Sequence, residues 1–300
     1  MGPKHAIILA GGIGSRMLPA SSLVPKEIMP LIDMPTINYA IAEIKQAGIK
    51  NVHLVINEHK IWMADLLNHI NYSNEHIKEL QQMRADLPAD ILNPLKDMKL
   101  HIHIQEEQLG FANAISYALD FIDGPFLVLL GDNILMKKHL PSTITLEQAR
   151  SNASLNLVEK FNRNHRPVVG LHKVSKEDLS SFGVVSKSNG KIIDIIEKPS
   201  IENTPSESNS VLCGRYLFTE EFKELLIQYP VNEFGELQSI VIQQHWMNSN
   251  GGLDYVDLDD HAWYDSGQPE LWLKAQIDHA LKRDDLNTNL REWLHQRLSE

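Results

Sequence analysis

The sequence predicts an α/β fold with a mainly parallel sheet. Short apolar runs typical of strands alternate with runs of helical spacing, and glycine or polar residues follow several strand ends. Alternation of this kind indicates βαβ crossovers, which place parallel strands side by side. Ligands bind at the carboxyl ends of such strands, so the residues at those ends are the first candidates for a functional site.

The first half of the chain carries the clearest alternation. It predicts four strands and three helices, which in chain order are strand 5–10, helix 36–47, strand 52–56, helix 60–68, strand 100–105, helix 112–121 and strand 126–130. The segment 71–99 is an insertion between strands, and its apolar spacing predicts two short helices on either side of Pro88. These helices either form a flap or a subunit contact, or pack against the core.

From about residue 167 the pattern becomes richer in strands. The candidates are 167–174, 183–188, 192–197, 210–217 and 253–257. The polar stretch 199–209 is predicted to be a mobile loop, and 291–298 an amphipathic helix. Because α/β domains often reach 300 residues, we predict one domain with a soft boundary near residue 140.

The composition limits the partners that the protein can bind. Its 28 basic and 39 acidic residues give a net charge of -11, which repels nucleic acid and also an anionic small substrate. A phosphate must therefore bind in a local positive pocket or together with a divalent cation. The sequence shows neither a leader nor an apolar stretch that could span a membrane, so we expect a cytoplasmic protein. The single cysteine, Cys213, is predicted to be a core residue.

The most informative motif directly follows the first strand. Gly11, Gly12 and Gly14 allow close approach of the backbone, and the exposed N–H groups of such a turn form a concave anion site. Two cations, Arg16 and Lys26, follow within sixteen residues of the first glycine. A strand, a glycine turn and two cations together suit a triphosphate.

The same motif excludes two common nucleotide sites. The dinucleotide fingerprint requires Gly or Ala where Met17 stands, and the P-loop requires a Gly-Lys-Ser/Thr sequence that this chain lacks. A Rossmann-type oxidoreductase is therefore disfavoured.

Two carboxylates are candidate metal ligands. Asp132 follows the strand 126–130, and Asp265 lies in Trp-Tyr-Asp-Ser-Gly. Each alone could simply cap a turn, whereas a pair in a phosphate site would supply the oxygen ligands that Mg²⁺ prefers. Because 133 residues separate them, no spacing rule tests the pair.

Other polar pairs have an ordinary explanation as well as a functional one. Glu197 and Lys198 end a strand, where they could bind sugar hydroxyls and a phosphate or could lie solvated. His101 and His103 share a strand face, and with no third ligand evident we interpret them as paired histidines on a half-exposed strand.

Taken together, these motifs resemble those of the sugar-1-phosphate nucleotidyltransferases over about residues 6–298. The matching motifs are the run from Gly12 to Leu31 that includes GSRMLP and PKEIMPL, Gly131-Asp132, Phe182-Gly183-Val184-Val185, Ile196-Glu197-Lys198-Pro199, Gly214-Arg215-Tyr216 and Tyr264-Asp265-Ser266-Gly267. The strongest likeness is to the bacterial UTP–glucose-1-phosphate uridylyltransferase branch. The segments 9–12, 105–114 and 131–133 look more like the thymidylyltransferase branch. The family's Glu-Ile-Gln-Leu-Thr-Asp is Glu-Leu-Gln-Ser-Ile-Val at 236–241 here, so the Thr-Asp is replaced by Ile240-Val241.

The resemblance implies a fold, a reaction and a cofactor. The fold would be a Rossmann-like three-layer sandwich with a mixed, mainly parallel sheet, of the nucleotide-diphospho-sugar transferase type. Within residues 1–300, subregion 1–140 would bind the nucleotide, 141–270 the sugar phosphate, and 271–300 would form a helical end. The reaction would join a nucleoside triphosphate, with UTP favoured, to a sugar 1-phosphate, with glucose 1-phosphate favoured. It would require Mg²⁺ and release pyrophosphate, and the protein would form a homo-oligomer.

The resemblance also implies roles for single residues. Arg16 and Lys26 would be catalytic, and Asp132 with Asp265 would hold Mg²⁺. The remaining assignments divide between the two substrates: the nucleotide would contact Gly11, Gly12, Gly14, Gln105 and Gly110, and the sugar phosphate would contact Gly183, Glu197, Lys198 and Arg215. The alternatives are a dTTP–glucose-1-phosphate thymidylyltransferase and a non-catalytic subunit that binds sugar nucleotides.

Overall fold

The computed structural model describes residues 2–72, 74–203 and 208–299. Its strands are β1 His5–Ala10, β2 Pro30–Leu31, β3 Met34–Pro35, β4 Asn51–Ile56, β5 Lys99–Ile104, β6 Phe126–Leu130, β7 Asn133–Met136, β8 Val168–Lys173, β9 Gly183–Ser188, β10 Lys191–Glu197, β11 Ser210–Phe218, β12 Asp254–Asp257 and β13 Ala262–Asp265. Its α-helices are α1 Thr36–Gln46, α2 Ile61–Tyr72, α3 Asn74–Met83, α4 Ala89–Leu92, α5 Phe111–Leu119, α6 Ala153–Asn164, α7 Phe222–Gln228, α8 Val231–Phe234, α9 Gln238–Asn250, α10 Pro269–Lys282 and α11 Asn287–Leu298.

One mixed sheet runs through the molecule. Its main order is β10-β9-β11-β6-β1-β4-β5, and β8 pairs with both β11 and β12. The strands β6, β1, β4 and β5 are parallel to one another, whereas β11 is antiparallel to β6, β8 and β9. The predicted α/β fold with its mixed, mainly parallel sheet is confirmed.

Helices cover both faces of the sheet. Alternate residues of a strand point to opposite faces, and in β1 the side chain of Ile8 packs on the face of α1, α2 and α6, while that of Ile7 packs on the face of α5, α7 and α9. Each face therefore carries its own apolar core. The result is a sandwich of three layers.

The insertion 71–99 contains the two predicted short helices, α3 and α4, with Pro88 just before the second. Ile77, Ile91 and Leu95 are buried there. Of the loop predicted at 199–209, residues 204–207 lie outside the described residues. Over the part of the chain that is described, no helix is long and apolar enough to cross a lipid bilayer.

The sequence pattern did not predict the short strands β7 and β13. They pair in antiparallel fashion as a two-stranded ribbon outside the main sheet, with Asn133 opposite Asp265. This ribbon connects two segments of the chain that carry candidate metal ligands.

Candidate active site

The glycine turn lies where β1 ends, between the neighbouring strands β4 and β6. Gly11 has no room for a side chain, because a Cβ there would collide with the Oε1 atom of Gln105. Gly14 adopts a φ of 73°, which L side chains rarely tolerate. The local backbone thus requires glycine at position 14, whereas at position 11 it is the Gln105 side chain that occupies the space.

A cavity of about 320 Å³ opens in front of this turn. Its wall includes Gly11, Gly12, Lys26, Gln105, Gln108, Gly110, Asp132 and Glu236. The amide of Gln105 donates through Nε2 to the carbonyl oxygen of Glu107 at 3.0 Å and to Asn113 Oδ1 at 3.3 Å. Oε1 of Gln105 is therefore the atom turned towards Gly11, as a hydrogen-bond acceptor.

Gly110 forms another wall of the cavity. Its φ is 106°, and a Cβ there would lie 2.9 Å from the Cα of Glu236. The close approach of these two backbone segments, 126 residues apart in the sequence, requires glycine at this position. Glu236 was not among the predicted site residues.

Lys26 projects from a single 3-10 turn, Lys26–Ile28, and its ammonium group contacts the carboxylate of Asp132. The Lys26 side chain is only 12% exposed. Burial acts to lower the pKa of Lys26, but the carboxylates of Asp132, Glu27 and Asp265 together outweigh burial and raise it. Lys26 therefore keeps its positive charge at neutral pH.

The β7–β13 ribbon brings Asp132 and Asp265 to the same place. The backbone N–H and the hydroxyl of Ser266 both donate to the Asp132 carbonyl oxygen at 3.0 Å. The pKa of the Asp265 carboxyl is raised, first by burial and then by the negative charge of Asp132. The charge of Asp132 thus acts on Asp265 although the two residues are far apart in the sequence.

Arg16 reaches the same region. A Cβ on Gly267 would lie 3.3 Å from Arg16 Nη2 and 2.8 Å from Asp265 Oδ1, so both groups lie next to Gly267. Arg16 and Asp265 also line a neighbouring cavity of about 530 Å³ whose wall includes the rings of Phe182 and Trp263. The guanidinium therefore borders this second cavity.

The carboxylate pair fits a hard cation that is completed by other ligands. Among the described residues there is no group of three or more His, Cys, Asp or Glu side chains arranged to hold a metal. Mg²⁺ is commonly bound by one or two carboxylates together with substrate phosphates and water. Asp132 and Asp265 match that donor set, whereas a site made entirely of protein ligands does not form.

The residues predicted for the sugar phosphate fall into two groups. Gly183 pairs with Glu197 across β9 and β10, and a Cβ at Gly183 would lie 3.0 Å from Glu197 Oε2. Lys198 leaves the strand with a φ of 44°, its ammonium 3.5 Å from Glu197 Oε1 and its side chain 61% exposed. These three residues form one corner of the sheet, where Gly183 is buried, Glu197 is half-buried and Lys198 is exposed.

Arg215 lies elsewhere, and its prediction as a sugar-phosphate ligand is corrected. Its side chain is buried in the interior and pairs with Glu43, Nε to Oε1 at 2.8 Å and Nη2 to Oε2 at 3.0 Å. It also donates to the carbonyl oxygens of Asn133 and Gly214. With its donors directed at these interior acceptors, the guanidinium supports the strand after Asp132 rather than facing a ligand.

Cys213, on the same strand, is fully buried, and burial raises the pKa of its thiol to about 12. The thiol is therefore unreactive at neutral pH, and the prediction of a core residue is confirmed.

Sequence reasoning missed two buried charges behind the glycine turn. Lys60, which comes shortly after β4, pairs with Glu27 at 2.8 Å. The sequence offers only weak signals for these two residues: Lys60 lies next to a strand end, and Glu27 lies beside the predicted Lys26. Neither residue has a spacing that distinguishes it from a solvated surface residue.

Comparisons with known proteins identify the family. The nucleotidyl transferase family model matches residues 5–280. The UTP–glucose-1-phosphate uridylyltransferase of Staphylococcus epidermidis is 30% identical, with 98% of each chain covered, and enzyme 1 of that name from Staphylococcus saprophyticus is 29% identical, with 97% of each covered.

Solved structures share the fold. UDP-glucose pyrophosphorylase from Acinetobacter baumannii superposes with a TM-score of 0.77 at 22% identity, covering 98% of this chain and 99% of that one. A putative glucose-1-phosphate thymidylyltransferase from Bacillus anthracis gives 0.69 at 25% identity, covering 92% and 94%. The predicted resemblance is confirmed: the chain belongs to the nucleotidyl transferase family, and is an enzyme of that kind.

Proposed function

We propose that the protein transfers a nucleotidyl group from a nucleoside triphosphate to a sugar 1-phosphate and releases pyrophosphate. UTP and glucose 1-phosphate are the favoured substrates, because the similar staphylococcal enzymes carry these names. The observation that carries the proposal is the convergence at one cleft of the glycine turn, Lys26 and the Asp132–Asp265 pair, with Arg16 beside them.

The chemistry requires no activated side chain. A phosphate oxygen of the sugar 1-phosphate is already anionic at neutral pH and attacks the α-phosphorus of the nucleotide. A new phosphorus–oxygen bond forms as the bond to pyrophosphate breaks. The protein therefore contributes in-line positioning and neutralisation of charge, which suits a site that has cations and glycine amides at its centre.

Each charged residue has a place in this scheme. Lys26 would neutralise charge between the two substrates near the reacting phosphorus, and Arg16 would stabilise the departing pyrophosphate. Asp132 and Asp265 would hold Mg²⁺. When bound there, Mg²⁺ supplies further neutralisation of the phosphate oxygens.

The cavity in front of the glycine turn supports a uracil or thymine base. Oε1 of Gln105 is an acceptor, which matches the N3–H of these bases and not the N3 lone pair of cytosine. Gly11 and Gly110 line the same cavity as that amide. Glu197 would accept sugar hydroxyls at the corner beside Gly183, and Lys198 would bind the sugar phosphate.

A thymidylyltransferase is the second candidate. It is favoured by the likeness of the 105–114 segment to that branch and by the similarity to the Bacillus anthracis structure. Because thymine and uracil present the same N3–H, Gln105 does not distinguish between them.

The test is a substrate matrix that measures pyrophosphate release. UTP, dTTP, CTP and GTP are each combined with several sugar 1-phosphates, with Mg²⁺ and with EDTA. We expect turnover with UTP and glucose 1-phosphate that EDTA abolishes, and little with CTP. Binding without turnover would instead indicate a regulatory subunit, and a preference for GTP would contradict the assignment of Gln105.

A further inference from the structure

Lys60 is a buried lysine that the reaction scheme above does not use. It is 5% exposed, and its three N–H groups are directed at the carbonyl oxygens of Ala10 at 2.7 Å and Gly12 at 2.8 Å and at the carboxylate of Glu27, whose two oxygens lie 2.9 and 2.8 Å away. Glu27 is itself only 1% exposed. One side chain thus joins the end of β1, the glycine turn and the segment that carries Lys26.

These hydrogen bonds determine which way the glycine turn faces. In a planar trans peptide the N–H points opposite to the carbonyl. Because the carbonyls of residues 10 and 12 point at Lys60, the N–H groups of Gly11 and Ile13 point away from it. Gly11 and Gly12 line the cavity, whereas Lys60 lies on the buried side of the turn. The Gly11 carbonyl is held separately by Asn57 Nδ2 at 2.7 Å.

The Lys60 ammonium also holds Glu27, the residue next to Lys26, in place. Glu27 occupies the interior beneath Gly131, where a Cβ would lie 3.3 Å from Glu27 Cγ. Burial raises the pKa of Glu27 and lowers that of Lys60, which is the effect expected when two charges are buried together. With Glu27 held inside, the adjacent Lys26 side chain is directed at Asp132.

We propose that Lys60 is a positioning residue of the triphosphate site, which turns the N–H groups of Gly11 and Ile13 towards the nucleotide phosphates and holds Lys26 beside them. This inference rests on the proposed function, since it assumes that a triphosphate binds at the turn. Under this proposal Lys60 supports binding of the nucleotide and not binding of the sugar 1-phosphate.

Lys60→Met tests the proposal, because it keeps the side-chain length and removes every donor. We expect the KM for the nucleotide and its calorimetric Kd to rise by about 10- to 100-fold, since small displacements of binding groups have effects of that size. The KM for the sugar 1-phosphate should change by less than about threefold. A residue with only a structural role would not separate the two substrates.

A second variant covers the case in which Lys60→Met does not fold. Lys60→Met combined with Glu27→Gln removes the unpaired buried charge but does not restore donors to the carbonyls of residues 10 and 12. We expect this protein to fold and still to bind the nucleotide weakly.

The matched control is Lys191→Met, which removes an ammonium from another buried carboxylate, Asp254, at the opposite end of β10 from Glu197. It should lower thermal stability and leave nucleotide affinity unchanged. Normal nucleotide affinity in both Lys60 variants, or equal losses for both substrates, would overturn the proposal. Failure of the wild-type protein to bind any nucleoside triphosphate would instead contradict the proposed function.

Discussion

At Lys26, one ammonium group faces both the carboxylate of Asp132 and the cavity in front of the glycine turn. Its charge is maintained by that carboxylate despite burial. Such a group is suited to stabilise charge that builds up during phosphoryl transfer, because its orientation is set before the substrates arrive.

Lys26→Ala should lower kcat/KM by at least about 10²–10³, the usual effect of removing one donor that stabilises charge in the transition state. Steady-state pyrophosphate release measures it. Lys137→Ala is the control, because Lys137 forms an ion pair with Asp260 that is largely exposed. Near-normal turnover of the Lys26 variant would refute its assignment.

Arg215→Met should destabilise the folded state by about 3–5 kcal/mol, because it leaves the buried carboxylate of Glu43 without its cationic partner. Urea unfolding followed by circular dichroism measures this loss. Adding Glu43→Gln should recover part of it. A stable Arg215 variant with a raised KM for the sugar phosphate would instead restore the original assignment as a ligand.

Among the elements, the β7–β13 ribbon brings the two candidate metal ligands together, and strands β1, β4 and β5 bring four histidines together. In those strands, His53 bonds through Nε2 to His5 Nδ1 and through Nδ1 to His103 Nε2, both at 2.9 Å. His101 stacks on His53, with ring centroids 4.7 Å apart. The pair predicted at 101 and 103 is therefore part of a four-histidine array.

This array predicts that stability falls in acid. Burial, followed by the neighbouring histidines, lowers the pKa of His53 to about 3. An unfolded histidine titrates near pH 6.5, so between about pH 6.5 and 3 the unfolded state binds more protons. The free energy of unfolding should therefore decrease as pH falls through this window, by up to about 1.4 kcal/mol per pH unit for each such histidine.

His279 and His139, whose ring nitrogens lie 2.9 Å apart, contribute in the same direction, since burial lowers their pKa values to about 3 and about 4. Urea midpoints measured from pH 7 to pH 4.5 test the prediction. His53→Gln should reduce the slope by about one proton, whereas His295→Gln, on the exposed face of α11, should not. A slope identical in wild type and His53→Gln would contradict the role of the array.

At the scale of the whole molecule, the candidate site draws on residues from Gly11 to Asp265, and on both the main sheet and the separate β7–β13 ribbon. An unfolded chain cannot assemble it. Nucleotide binding should therefore stabilise the complete fold and not one subregion of it. The single domain over residues 1–300 and the homo-oligomer stay predictions, which calorimetry and light scattering can test.

Saturating UTP with Mg²⁺ should stabilise the protein by about 2.7 kcal/mol at a concentration 100-fold above Kd. Differential scanning calorimetry should show one transition that moves to higher temperature as a whole. Lys26→Ala should show a smaller shift at the same concentration. Two transitions, of which only one responds to the ligand, would contradict the single domain.

The sequence by itself determined those features that depend on residues close together in the chain. Strand β1, the glycine turn and the cations at 16 and 26 lie within one short segment, so their types and spacing predict a phosphate site directly. The alternation of apolar periods likewise predicted the main strands and helices, because burial of one face imposes that period on each element.

Only the tertiary structure decided which distant groups meet. Asp132 and Asp265 become neighbours through two strands of four residues each, which are too short to leave a recognisable period. Arg215 resembles a ligand in its motif but lies inside on Glu43, and Lys60 resembles a surface residue but lies beneath the glycine turn. Burial and pairing of this kind arise from the packing of whole elements, so the spacing of residues along the chain does not predict them.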